Sequence, residues 1–320
     1  MKKTLALVLT LVILATSCLS FTSCGDKKSS AKYTVGVCQL VQHPALDLAT
    51  NGFVDALKAE LGDEVEIEVQ NASNDMNICS SIIGDFLVKN VDLIMANATP
   101  VLQIASNATR EIPILGTSIT EYGVALKIEN FDGVVGGNVS GTSDLAPLDQ
   151  QADMFVELCP NAKKVGIIYC SSEANSEYQV TKMTEHLTKK GITVIPYSFS
   201  DPNDITSVLT KAVTECDALY VPTDNTVATC AQVIGSIARE HRIPVITGEE
   251  NTARECGIAS LTISYYDLGF QTGKMAAKIL KGEADISTMK IEYAPATKKY
   301  NKEMCELLGI PVPEGYEEIK

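Results

Sequence analysis

From Tyr33 onward, short apolar runs alternate with longer stretches in which apolar residues recur every three to four positions. The first series predicts a strand over 34–40, a helix over 45–61, a strand over 65–70, a helix over 77–89, a strand over 91–96, a helix from Pro100 and a strand over 112–116. A second series predicts strands over 164–170, 193–199, 218–222 and 244–248, separated by helices over 176–190, 204–214 and 227–241. Strands that are apolar on both faces, each followed by an amphipathic helix, argue for parallel sheets covered by helices on both sides.

The second series repeats the first. Val35-Gly36-Val37 matches Val165-Gly166-Ile167, Val91-Asp92-Leu93-Ile94 matches Cys216-Asp217-Ala218-Leu219, and Glu111-Ile112-Pro113-Ile114 matches Arg242-Ile243-Pro244-Val245, at offsets of 125 to 131 residues. The expected fold class is α/β, with two Rossmann-like lobes of parallel sheet flanked by helices and hinged around a ligand cleft. One lobe is expected over 33–143 with 265–286 and the other over 144–264 with 287–320, the chain crossing near 142–147, 264–267 and 285–289. A further strand over 258–264, a helix over 268–281 and, after 289, a strand and a short helix over 302–308 complete the pattern. Ligands of open α/β sheets gather outside the carboxyl ends of the strands, so the cleft is lined by the strand-to-helix loops of both lobes.

Ahead of the repeat, Lys2 and Lys3 precede an apolar run from Leu5 to Ala15, and small residues then lead to Cys24-Gly25. The run is shorter than the ~20 residues a membrane span needs, and its order of charge, apolar core and small residues is that of an export signal. Phe21-Thr22-Ser23-Cys24 resembles a bacterial lipobox. Residues 1–23 then read as a lipoprotein signal peptide, Cys24 as the lipidated residue and 24–32 as a polar tether; Cys18 is a rival, but only Cys24 is followed directly by a flexible spacer. The expected location is the outer face of the cytoplasmic membrane, or the periplasm.

Composition narrows the partners. A formal charge of −14 repels phosphate backbones, which removes nucleic acid as a partner. Of ten cysteines, eight fall in the mature body with no Cys-x-x-Cys pair, and His43, His186 and His241 stand at no ligand spacing, so neither metal nor cofactor is expected. Export favours disulfides, yet several cysteines sit inside apolar runs where a small buried thiol fits equally well. Both readings stay open. Neither a P-loop, a His-Glu-x-x-His, a Gly-x-Ser-x-Gly elbow nor a dinucleotide fingerprint is present.

Candidate ligand contacts lie in the loops. Asn97-Ala98-Thr99-Pro100 opens a helix whose free amides suit a carboxylate, ordinary capping being the alternative. Its counterpart in the second lobe is Pro222-Thr223-Asp224-Asn225-Thr226, which sets Asp224 opposite Thr99. An acid facing an anion-binding helix end is what a zwitterionic α-amino acid needs; otherwise Asp224 is a helix cap. Thr117 and Ser118 correspond in the same way to Gly248-Glu249, pairing hydroxyls with the Glu249 carboxylate. Three more polar loops are expected to open on the cleft: one with Gln39 and His43, one with Ser171, Ser172, Asn175 and Ser176, and one from Asn138 through Thr142, Ser143 and Asp144.

Four separated stretches, Gln42-His43-Pro44-Ala45-Leu46-Asp47, Asn138-Val139-Ser140-Gly141-Thr142-Ser143-Asp144, Tyr220-Val221-Pro222-Thr223-Asp224-Asn225-Thr226 and Gly248-Glu249-Glu250-Asn251 followed by Ser264-Tyr265-Tyr266-Asp267, resemble one known family. It is that of the solute-binding lipoproteins of ABC importers for tryptophan, tyrosine or phenylalanine, which have the type I periplasmic-binding-protein fold. The resemblance implies a receptor and not an enzyme, closing around an amino acid and handing it to a membrane permease and its ATPase. Pro44, Ala45 and Asn225 lie in those stretches and join the expected ligand set. So does Tyr266, which with Tyr122, Tyr169 and Tyr265 is a candidate to stack on an aromatic ring. A sugar or nucleoside receptor of the same fold is the alternative, and an exported hydrolase using His43 and a serine is a third reading.

Overall fold

The computed structural model describes residues 31–312 and 314–320. The expected leader, Cys24 and most of the tether lie outside the described residues. Strand β1 (Tyr33–Gln39), helix α1 (Pro44–Leu61), β2 (Val65–Asn71), α2 (Met76–Lys89), β3 (Leu93–Asn97), α3 (Thr99–Ala108), β4 (Ile114–Ile119), α4 (Tyr122–Leu126) and β5 (Val139–Ser143) come first. Next come α5 (Leu148–Leu158), β6 (Lys164–Cys170), α6 (Ala174–Lys189), β7 (Thr193–Phe199), α7 (Ile205–Glu215), β8 (Ala218–Val221), α8 (Asn225–Thr229), α9 (Ala231–His241), β9 (Val245–Thr247), α10 (Glu250–Cys256) and β10 (Ala259–Thr262). Helix α11 (Tyr265–Leu280) is followed by β11 (Glu292–Tyr293), β12 (Thr297–Tyr300), α12 (Lys302–Leu308) and β13 (Glu317–Glu318).

The strands form two sheets, ordered β11-β5-β4-β3-β1-β2 and β13-β12-β10-β9-β8-β6-β7. Strands β1 to β5 of the first therefore occupy the same positions as β6 to β10 of the second, and all their pairings are parallel. The offset repeat in the sequence is this duplicated strand order. Asp92 and Asp217, matched in the repeat, do the same work: Asp92 Oδ2 accepts the Thr34 amide at 2.7 Å, and Asp217 Oδ2 accepts those of Lys163 and Lys164 at 2.8 Å. Each aspartate clips the start of the first strand of its lobe, second from the edge of its sheet. Those amides hold the Asp217 carboxyl below the usual carboxylate range.

Both faces of each sheet are covered, which is why β3, β4, β5 and β8 are buried along their whole length. In the first sheet, Val35, Val37, Leu93 and Met95 pack on Phe53 and Leu57 of α1 and Met275 of α11. Cys38, Ile94 and Ala96 pack on Phe86 of α2 and Val101 and Leu102 of α3. Helices α1 and α11 approach backbone to backbone: a Cβ on Gly269 would stand 1.9 Å from the Ala49 carbonyl oxygen, and one on Gly52 would stand 2.1 Å from that of Tyr266. Only glycine fits at either place. Both helices begin at the carboxyl edge of the first sheet, so this seam fixes two of the site's starting points.

Three expectations need correction. The stretch 138–144, expected as an open polar loop, is mostly strand β5. Its hydroxyls are consumed inside the fold: Thr142 Oγ1 lies 3.2 Å from Thr117 Oγ1 and 2.8 Å from Thr272 Oγ1, and Ser143 Oγ donates to the Thr120 carbonyl at 2.9 Å. A strand whose hydroxyls are all bonded can be buried despite its polar composition. The last crossing, expected at 285–289, falls later, because β11 still pairs with β5 through Glu292 and Thr142. Glu292 and Tyr293, expected in the second lobe, thus belong to the first sheet. The helix expected over 227–241 is two helices, broken at Cys230. The eight cysteines among the described residues are free thiols, and none of the described helices is long and apolar enough to cross a membrane.

Candidate functional site

The loops at the carboxyl ends of the two sheets meet around a narrow cavity of about 10 Å³, room for about one water molecule with the lobes this close together. The first lobe contributes His43, Ala45 and Leu46 from the start of α1, Ser118 and Thr120 from the end of β4, and Asp144 just after β5. Across from them stand Asn175 at the start of α6, Thr223, Asp224, Asn225 and Ala228 from the β8–α8 turn, and Glu249 before α10. Tyr265, the first residue of α11, closes the ring and donates its hydroxyl to Asp144 Oδ2 at 2.9 Å. The lobes touch beside the cavity, where His43 Nε2 lies 3.5 Å from Asn225 Oδ1 and Asn74 Nδ2 lies 3.4 Å from Thr226 Oγ1.

Of the residues expected from sequence, His43, Ala45, Ser118, Asp144, Asn175, Asp224, Asn225 and Glu249 line this cavity. Others do not. Gln39 is tied into the frame, donating to Val41 O and Asp47 Oδ1 and accepting from Thr50. Thr117 and Thr142 are bonded to each other, Ser143 to Thr120, and Thr99 is buried at the first turn of α3 away from the cavity. Pro44 is exposed at the first position of α1, Ser171 and Ser172 are exposed, and Ser176 is buried behind Asn175, whose Nδ2 donates to its hydroxyl at 3.3 Å. Tyr266, expected against the ligand ring, turns outward, bonding Asp55 at 3.0 Å and stacking on Phe270. Neighbouring helical residues point about 100° apart, so only one of the two adjacent tyrosines can face the cavity, and it is Tyr265. Thr120, Thr223, Ala228 and Leu46 were not among the expected ligand contacts; Thr223 and Leu46 adjoin residues that were, Asp224 and Ala45.

Two acids expected to meet a ligand are engaged with backbone instead. Asp224 Oδ1 accepts the Val227 amide at 2.8 Å and Oδ2 accepts that of Cys170 at 2.7 Å. Burial, then the charge of Glu173, pushes its carboxyl well above the ordinary range. Glu249 caps α10, accepting from the amides of Asn251 and Thr252. Asp224→Ala is therefore expected to lower stability by about 1–3 kcal/mol, from lost capping and orphaned buried amides. Urea unfolding checks this; a variant as stable as the parent that no longer binds ligand would instead make Asp224 a ligand group.

Four buried polar atoms that line the cavity have no partner: His43 Nδ1, Ser118 Oγ, Asp144 Oδ1 and Asn175 Oδ1. Buried polar atoms are normally satisfied, so their convergence marks where a polar guest belongs. Burial pushes the Asp144 carboxyl up to about 6 and holds the His43 imidazole below its usual value, against the opposing pull of Glu249. No lysine or arginine is among the lining residues.

Two parallel-sheet lobes closing their strand ends on such a cavity define a receptor of the type I periplasmic-binding-protein fold. The chain belongs to the family of ABC transporter substrate binding proteins, whose match covers residues 34–316. It is 37% identical to a tyrosine-binding protein of Clostridioides difficile (strain R20291), over 81% of this chain and 76% of that one. It is similar to a crystal structure from Streptococcus pneumoniae of an ABC domain in complex with L-Trp, at 33% identity and a TM-score of 0.84, over 89% of this chain and 97% of that one. A ligand-free, open structure of a substrate-binding protein with adhesive properties from Clostridium difficile is 37% identical over 90% and 99% of the two chains, yet superposes less well, at 0.70. The arrangement of the lobes is thus nearer that of the complex, despite the lower identity. The relatives are substrate-binding proteins and not enzymes, so this chain is a receptor that works with an ABC transporter outside the cytoplasm.

Proposed function

We propose that the protein captures an L-amino acid with an aromatic side chain and delivers it to a membrane permease, remaining beside that permease through a lipid on Cys24. The convergence of four unpartnered polar atoms from both lobes on one cavity carries this reading. A zwitterion supplies both signs at neighbouring atoms. Asp144 Oδ1 takes the ammonium, the Ser118 hydroxyl donates to the carboxylate, and the side chain lies toward the apolar stretch made by Ala45, Leu46 and Ala228. The tyrosine-binding relative and the relative in complex with L-Trp support the aromatic class. Calorimetry against the twenty amino acids tests it; saturable binding of a sugar or nucleoside and of no amino acid would sink it. Incorporation of a labelled fatty acid, lost in Cys24→Ala, tests the anchor.

The buried carboxyl gives the site a pH signature. An ammonium needs the ionised form of Asp144, so affinity is expected to fall as pH drops below about 6, approaching tenfold per pH unit. Calorimetry at pH 7.5 and 5 reads this directly, and an unchanged affinity counts against Asp144. Stability of the ligand-free protein moves the other way. The folded-state value lies above the unfolded 3.8, so the native state holds the extra proton between about 4 and 6. The contribution of Asp144 to stability declines as pH rises through that window and is flat above it.

A further inference from the structure

Behind the cavity, Glu173 is 3% exposed and surrounded by donors. Its Oε1 accepts from the Thr226 amide (2.9 Å) and hydroxyl (2.7 Å), and its Oε2 accepts from the Asn225 amide (3.1 Å), Asn225 Nδ2 (2.7 Å) and Asn175 Nδ2 (3.1 Å). Each of these partners donates to the carboxylate, so Glu173 decides which end of each amide points away from it. Asn175 must turn Oδ1 into the cavity, an orientation reinforced by its Nδ2 donating to the Thr223 carbonyl at 3.2 Å. Asn225 must turn Oδ1 toward His43 Nε2. A carbonyl oxygen there needs a hydrogen on Nε2, which in a neutral imidazole leaves Nδ1 as a bare acceptor. Nδ1 is the histidine atom left unpartnered in the cavity.

Building on the amino-acid reading above, we infer that Glu173 is a positioning residue that sets the hydrogen-bonding polarity of the site and so selects a primary ammonium. Through Asn175, and through Asn225 and His43, it makes two of the unpartnered atoms acceptors; Asp144 Oδ1 is the third. Three acceptors match the three N–H bonds of a primary ammonium, and Ser118 is left for the carboxylate. A ligand lacking the ammonium would leave three buried acceptors unpaired, a large penalty for a site of this kind.

Glu173→Gln tests the inference, because its amide places N–H groups against donors while preserving shape. Three compounds are compared on parent and variant by calorimetry: L-tyrosine, tyramine, which keeps the ammonium alone, and 3-(4-hydroxyphenyl)propionate, which keeps the carboxylate alone. The variant is expected to lose about 10- to 100-fold in affinity for L-tyrosine and tyramine, with no loss for the propionate and with partial recovery in Glu173→Asp. Nitrogen-15 spectra of the three histidines supply a readout that needs no ligand: His43 is expected as the neutral Nε2–H tautomer in the parent, and that signature is lost in the variant. A parent His43 protonated on Nδ1, or a variant keeping both the tautomer and the L-tyrosine affinity, overturns the inference. A parent that binds no amino acid but shows the tautomer and its loss would refute the proposed function while supporting the role of Glu173.

Discussion

Replacing Asp144 by asparagine is expected to abolish capture of an aromatic amino acid while leaving the ligand-free protein as stable as the parent, or more so, at neutral pH. Binding suffers because an amide offers the ammonium no charge, and its one oxygen is already claimed by the Tyr265 hydroxyl, leaving an NH₂ group toward the guest. Truncating one partner of a buried, hydrogen-bonded charge pair costs about 2–5 kcal/mol, so affinity should fall by about 30-fold or more. Stability moves oppositely because the ionised carboxyl is itself a burden: raising it to about 6 in the fold corresponds to roughly 3 kcal/mol of differential penalty at neutral pH, an upper bound on the gain. Calorimetric titration with L-tyrosine and L-tryptophan, with thermal unfolding of the ligand-free protein at pH 7.5, reads both. A variant that binds like the parent, or that loses ligand only because it melts, would remove Asp144 from the site.

The second large effect belongs to the seam between α1 and α11. Gly269→Val puts a branched side chain where a single carbon would already stand 1.9 Å from the Ala49 carbonyl oxygen, a backbone atom that cannot swing aside. The helices must separate, and the expected loss is about 3 kcal/mol or more, or about 10 °C in melting temperature for a chain of this size. Because α1 begins beside His43 and α11 begins with Tyr265, the surviving folded fraction should also bind more weakly. Scanning calorimetry decides; a melting point within about 2 °C of the parent would mean that the backbones are not locked together.

The duplicated architecture was legible because it rests on repeated local pattern: Val35-Gly36-Val37 and Val165-Gly166-Ile167 are apolar runs with punctuation on either side, and periodicity reads those well. Strand β5 was not. Val139-Ser-Gly-Thr-Ser143 has the composition of a loop, and what makes it a strand is tertiary: hydroxyl partners at Thr117, Thr120 and Thr272 that no local window contains. The same blindness affects the choice of the proposed ammonium acceptor. Asp224 and Asp144 were both named, but Asp224 stands at a helix start, where the backbone amides of Val227 and Cys170 absorb its two oxygens. Asp144 follows a strand, with no helix beginning at the next residue, and one of its oxygens stays free. Choosing between them required knowing which donors fold around each. Glu173 went unnamed for a related reason: a lone acid within Ser171-Ser172-Glu173-Ala174-Asn175 reads as a solvated loop residue, and its burial depends on a turn more than fifty residues away.

The two hydrogen bonds seen across the cleft, His43 to Asn225 at 3.5 Å and Asn74 to Thr226 at 3.4 Å, lie at the long limit of such contacts. A latch this loose adds little by itself to holding the lobes together. On the proposed reading, a guest bridging Asp144 and Ser118 on one side to Asn175 on the other would be the principal cross-link, making the lifetime of the closed state a property of the cargo more than of the container. Under that reading an empty receptor would reopen on its own and a loaded one persist, giving a permease a means of telling them apart by duration before any residue of the cargo is read.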